Sequence, residues 1–166
     1  MLGLKFIIIL FIIIISSYIG FFKANSFTER EKEIQNILSA LNYMKNKIEY
    51  TNLYLNEIFN EISLNIFNDK NNMFKETISS NLNIRNSFKV AISNNKKLDI
   101  EDKNVLNNLS LSLGSLERNL QISEINIAYN FLLDRLKDAE NKKLKNAKMY
   151  KVLGACFGLT ISIILI

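Results

Sequence analysis

An all-α protein is the fold class that three observations predict. The chain has no proline, and of its five glycines only Gly114 falls between residues 21 and 153. Proline and glycine are the two residues that interrupt helices most strongly. Across the middle, apolar residues recur at steps of three and four, the spacing of one helix face. Each end carries a continuous apolar run. The expected architecture is a bundle of about six helices flanked by two transmembrane helices, divided at residues 2–22, 23–149 and 150–166.

Residues 2–22 are apolar except for Gly3, Lys5, Ser16, Ser17 and Gly20. About 20 residues rising about 1.5 Å each cross a hydrocarbon core of about 30 Å. A cleaved signal peptide would have a shorter apolar core ending in small residues of an A-x-A type. FFKANSF offers no such site, so an uncleaved span is expected. Ser26 and Glu29 fit a capping box that would open the first helix of the bundle. That helix places Ile34, Ile37, Leu38, Leu41, Met44 and Ile48 on one face.

Four shorter helices follow. Leu55, Ile58, Phe59 and Ile62 mark the next, and Met73, Phe74 and Ile78 mark one over residues 70–81. Phe88 and Ile92 mark a helix over 84–94, which Asn94-Asn95 ends. Val105, Leu106, Leu109 and Leu113 mark one over 100–113. Gly114 then suits a helix C-cap, where a left-handed backbone favours glycine. The sixth helix starts near Leu116, and its face is Ile122, Ile125, Tyr129, Leu132, Leu133, Leu136 and Ala139. The hydrophobic stripe from Leu120 to Ala139 is read as core, with a docking face for another protein as its rival. Nothing after Leu116 stops the helix, so 116–166 is expected to run continuously into lipid and to pass movement of the bundle into the membrane.

The second apolar run, residues 152–166, reaches only about 22 Å at about 1.5 Å per residue. Met149 and Tyr150 extend it, Lys151 snorkels, and local thinning of the bilayer covers the remainder. Gly154 and Gly158 form a G-x-x-x-G, which lets a partner helix approach closely. The partner is either the first span or a second copy, so a homo-oligomer stays open. Lys142, Lys143, Lys145, Lys148 and Lys151 precede this run. With Lys23, Arg30 and Lys32 they outnumber Lys5 and the amino terminus on the outer flanks. Basic residues stay on the cytoplasmic side, so residues 23–149 are expected in the cytoplasm with both termini outside.

The charge pattern excludes more than it proposes. The net charge is +5, but lysines are interspersed with glutamates rather than clustered on one face, so nucleic acid is not an expected partner. The segment 134–145 reads as a solvated face, with Asp138–Lys142 at i,i+4, and its lysines also suit anionic headgroups of the lipid bilayer. There is no histidine and one cysteine, Cys156. A His/Cys metal site and a Ser-His or Cys-His nucleophile pair are therefore excluded. Glu57 and Glu61 share a polar helix face, which is what solvation requires. No glycine-rich phosphate loop is present, and neither an enzyme nor a bound cofactor is expected.

Three segments carry a family resemblance that spans essentially the full length. Gly20, Ala24 and Arg30 followed by ILSALNYMKNKIEY, then LGSLERNLQ at 113–121, then KMYKVLGACFG at 148–158, occur in order between the two apolar runs. In these the chain resembles the stage III sporulation protein AB family of endospore-forming bacteria. Leu53-Tyr54 stands where the family has Thr-Pro, and Leu116-Glu117 where it has Ser-Asp. The first departure should alter the turn after the first helix. The second removes a good N-cap, at about 1 kcal/mol, and bears on any binding role of that pair. The resemblance implies a subunit of the channel complex between mother cell and forespore, seated in the mother-cell membrane. It also implies a soluble domain similar to the platform protein of type II secretion and type IV pili. The partners it implies are the AA protein, a secretion-type ATPase, and the other membrane proteins of the complex. A two-span sensory or scaffold protein with a helical binding domain is the competing class.

Overall fold

The computed structural model describes residues 2–67, 69, 72–80, 82–114 and 117–165, without the side chains of residues 2–9, 164 and 165. Every regular element among them is helical: α1 (Leu2–Tyr50), α2 (Leu55–Asn65), α3 (Met73–Ser79), α4 (Ile84–Asn94), α5 (Ile100–Ser112), α6 (Arg118–Lys142) and α7 (Lys148–Leu165). A single π turn, Lys143–Ala147, joins α6 to α7 without an intervening loop. The expected start at Leu116 and end at Ile166 lie outside the described residues. The chain forms two compact units, Lys32–Lys137 and a second made of Met1–Glu31 with Asp138–Ile166.

The expected helix start at Ser26 is corrected. α1 passes through it unbroken, so Ser26 and Glu29 cap nothing. The Ser26 hydroxyl donates back to the carbonyl of Lys23 at 2.7 Å, and Glu29 accepts from Asn25 Nδ2 at 3.0 Å. An S-x-x-E pattern caps a helix only where the preceding chain is non-helical, and here the apolar run is already helical.

In the unit Lys32–Lys137, the α1 face Ile34, Ile37, Leu41 and Met44 is fully buried, while Ile48 is half-buried. The centre of α2, α3 and α4 is aromatic. Phe59 meets Phe74 edge-on at 5.1 Å and Phe88 at 5.2 Å, and Phe74 lies 5.6 Å from Phe88 and 5.5 Å from Phe67. Such pairs add about 0.5–1.5 kcal/mol each beyond the area they bury. Leu106 and Leu109 of α5 and Ile125, Ala128 and Leu132 of α6 extend the core. The turn after α1 is closed by Thr51, whose hydroxyl donates to Lys47 O at 2.6 Å. α2 and α5 open with the return half of a capping box: Glu57 accepts from Tyr54 N at 2.9 Å, and Asp102 accepts from Asp99 N at 3.0 Å. Gly114, just past α5, has φ 74°, a backbone that costs a side-chain-bearing residue about 1–2 kcal/mol.

Ion pairs clasp the polar rim. Glu61 takes Lys47 Nζ at 2.7 Å and the Tyr43 hydroxyl at 2.7 Å. The hydrogen bond from Lys47, then that from Tyr43, hold the Glu61 carboxyl below its usual range, and Lys47 is raised by its contact with Glu61 and then by that with Tyr43. Arg135 pairs with Glu101, and Arg118 Nη2 donates to Asn52 Oδ1 at 2.7 Å.

Candidate functional site

The unit made of Met1–Glu31 and Asp138–Ile166 is a helical hairpin whose contact surface is built from small residues. Ser16, Gly20 and Ala24 step by four along α1, and Gly154, Gly158 and Ser162 step by four along α7. That step keeps each set on one helix face. The backbones then come close enough to leave no room for a side chain. A Cβ on Gly20 would lie 2.6 Å from Tyr150 O and 2.9 Å from Gly154 Cα. One on Gly154 would meet Gly20 Cα and Ser16 O at 2.9 Å, and one on Gly158 would meet Ile13 Cα at 3.0 Å. Gly154 and Gly158 therefore face the first apolar helix. Ser16 Oγ donates to Gly154 O at 2.6 Å, and Ser162 Oγ donates to Gly158 O at 2.7 Å.

Sequence reasoning missed the α1 half of this seam. Ser16-x-x-x-Gly20-x-x-x-Ala24 carries the same signal as the Gly154–Gly158 pair and lies within or next to the first apolar run. The outward faces are apolar: Phe11, Ile14, Phe22, Val152 and Leu159 are exposed. Among the described residues, one helix is long and apolar enough to cross a bilayer, and it is α1.

Charged residues lock the polar end of the hairpin. Arg30, 5% exposed, reaches Asp138 Oδ2 at 3.3 Å, and Lys142 reaches the same oxygen at 2.9 Å. Partial burial works to raise the Asp138 pKa, but the hydrogen bonds from Lys142 and Arg30 outweigh it, and the carboxyl sits below its ordinary value. Lys143 Nζ lies 2.6 Å from Glu31 Oε2, a buried oxygen for which this ion pair is the charged partner. Lys151 stands over the Phe21 ring at 4.9 Å, and Phe27 stacks on Tyr150 at 5.8 Å. Of the five lysines before the second apolar run, two thus pair with acids, one caps an aromatic ring, and Lys145 and Lys148 are exposed to solvent.

Two recesses of the helical unit stand out among the described residues. A polar one of about 190 Å³ is lined by Glu33, Asn72, Asn95 and Lys97 among others. Its carboxylates are already committed: Asn95 donates to Glu33 Oε1 at 2.8 Å, and Lys97 sits 2.8 Å from Asp69 and 3.7 Å from Glu33. Lys97 depresses the Asp69 pKa through its hydrogen bond. This is a structural clasp between helices. Among the described residues no three His, Cys, Asp or Glu side chains group as a metal ion would require. The second recess, about 210 Å³, lies between α5 and α6 and is lined by Val105, Leu109, Ile127 and Phe131. Beside it the stripe on α6 divides. Of the expected face, Ile125, Leu132 and Ala139 are buried, Ile122, Tyr129 and Leu136 are half-buried and Leu133 is exposed; Leu120, Ile127 and Phe131 beside it are exposed too, Phe131 to 60%.

The family model described as stage III sporulation protein AB matches residues 5–166. The chain belongs to the stage III sporulation protein AB family. The match runs through both apolar ends and the helical unit between them. The stage III sporulation protein AB of Bacillus subtilis (strain 168) is 27% identical over 169 residues, covering 98% of this chain and 99% of that protein. A solved structure of a stage III sporulation protein AB superimposes with a TM-score of 0.62 at 19% identity, over 70% of this chain and 98% of its own. At that identity the likeness speaks for the fold alone.

Proposed function

We propose that this protein is a non-enzymatic membrane platform subunit of the channel complex between mother cell and forespore, coupling a cytoplasmic secretion-type ATPase to the envelope assembly. The observation that carries the reading is the family match across residues 5–166, which takes in both apolar ends and the helical unit between them. The small-residue seam supports a two-span hairpin, because small residues are how helices associate where lipid surrounds them. The lysines at 142–151 support a cytoplasmic helical unit with both termini outside.

The exposed apolar residues Leu120, Ile127 and Phe131, the last two lining the recess between α5 and α6, are the surface we assign to the ATPase contact, since exposed apolar area beside a recess marks a partner. Full-length protein in detergent is the material for the test. It should retain the purified ATPase on a column, and Phe131→Asp should release it while α-helical content stays unchanged. No retention of the ATPase by the folded parent protein would contradict the reading. Two glycines inserted near Ala147 test the further proposal that movement passes along α6 and α7: sporulation should fail although membrane insertion persists.

A further inference from the structure

An apolar groove of about 630 Å³ runs between α1 and α7 within the hairpin unit. Its walls are Ile12, Ile15, Ile19, Leu153, Phe157 and Ile161, its floor is the Gly20–Gly154 contact, and Lys23 and Tyr150 close one end. From Ile12 to Lys23 the groove extends about 16 Å at about 1.5 Å per residue. From Tyr150 to Ile161 it extends the same distance. That is about half of a hydrocarbon core of about 30 Å, the depth of one leaflet. A transmembrane helix laid against the hairpin would need a seam through both leaflets, whereas a lipid tail needs one.

Charge at the closed end selects the headgroup. Among the ion pairs described in this unit, Arg30, Lys142 and Lys143 take the acidic partners. Lys23 is exposed at the mouth of the groove and makes no ion pair with the described residues. A lysine at the membrane boundary draws anionic headgroups. We infer that this groove is a binding site for one anionic phospholipid, its acyl chain along Ile12–Ile19 and its phosphate on Lys23. The inference rests on the reading of the hairpin as membrane-embedded.

The chain has no tryptophan, so a single one reports cleanly. Phe157→Trp places a probe in the groove wall, and Phe11→Trp places one on the exposed outer face. Each full-length variant is reconstituted in phosphatidylcholine vesicles carrying a small fraction of chain-brominated phosphatidylglycerol or chain-brominated phosphatidylcholine. Brominated phosphatidylglycerol should quench the groove probe with about five-fold higher apparent affinity, the effect of one basic residue near the surface. In Phe157→Trp/Lys23→Gln that preference should fall to parity, while Lys151→Gln should leave most of it. The outer-face probe should be quenched equally by both lipids. Equal quenching of the groove probe by the two lipids in the protein with Lys23 intact would overturn the site. So would a shielded groove probe beside a quenched outer-face probe, the signature of a second copy filling the groove. An outer-face probe untouched by either lipid would remove the membrane reading itself, and the site with it.

Discussion

The two units of this chain hold their helices together in opposite ways. In Lys32–Lys137 the contacts are made by large side chains, with Phe59, Phe74 and Phe88 fully buried at the centre. In the hairpin unit the contacts are made by the absence of side chains, at Gly20, Gly154 and Gly158, and the large residues point outward. The membrane setting proposed for the hairpin accounts for the difference. Water drives apolar area inward at about 25 cal/mol per Å². A lipid tail is as apolar as leucine, so close packing and hydrogen bonds between helices must supply the attraction.

This contrast predicts that truncation breaks one unit and enlargement the other. Phe74→Ala should cost about 3–5 kcal/mol, read as a lower denaturation midpoint of the full-length protein in detergent. Phe11→Ala, an equal truncation on the outer face of the hairpin, should leave that midpoint in place. A comparable loss at both positions would erase the distinction. Gly20→Leu should cost about 1–3 kcal/mol through overpacking. It should separate α1 from α7, seen as a longer and broader distance between spin labels on Phe11 and Leu159.

Charge gives the next smaller effect. Arg30→Ala should cost about 1–2 kcal/mol, less than the loss of a fully buried pair because Asp138 keeps Lys142 and some solvent. Asp138→Asn tested alongside reports the other half of the pair. The pH response should be smallest. Asp138 and Glu61 have lowered folded pKa values, so their contribution is present at neutral pH and is lost as pH falls through those values. Lys47 is raised. Its contribution therefore holds below the ordinary lysine value and is lost as pH climbs through the raised one. Thermal melts from neutral pH down into the acid range check the carboxylates, and Glu61→Gln should reduce the part that belongs to the helical unit while Asp69 keeps its share.

Much of the fold was legible because periodicity reports which face is buried. The faces Ile34–Met44, Ile58–Ile62 and Phe88–Ile92 are core as expected, and α4 and α5 end within a residue of the expected positions. Ser26 misled because a local capping pattern says nothing about the helix already formed upstream. The π turn at Lys143–Ala147 left no mark, since KLKNA contains no helix breaker. Gly154 and Gly158 were visible as a motif, whereas Gly20 needed its partner helix to give it meaning. The recess beside Phe131 could not be foreseen, because α6 carries apolar residues on more than one face and only packing shows which face the core takes.

The orientation of the helical unit is the claim on which the functional account turns. Single cysteines at exposed Asn60 and Asn94, in a Cys156→Ser background, can be challenged with a membrane-impermeant thiol reagent on intact cells. With the unit in the cytoplasm, neither position is labelled until the membrane is permeabilised, when both should react. Labelling of either position on intact cells would place the unit outside and contradict that orientation.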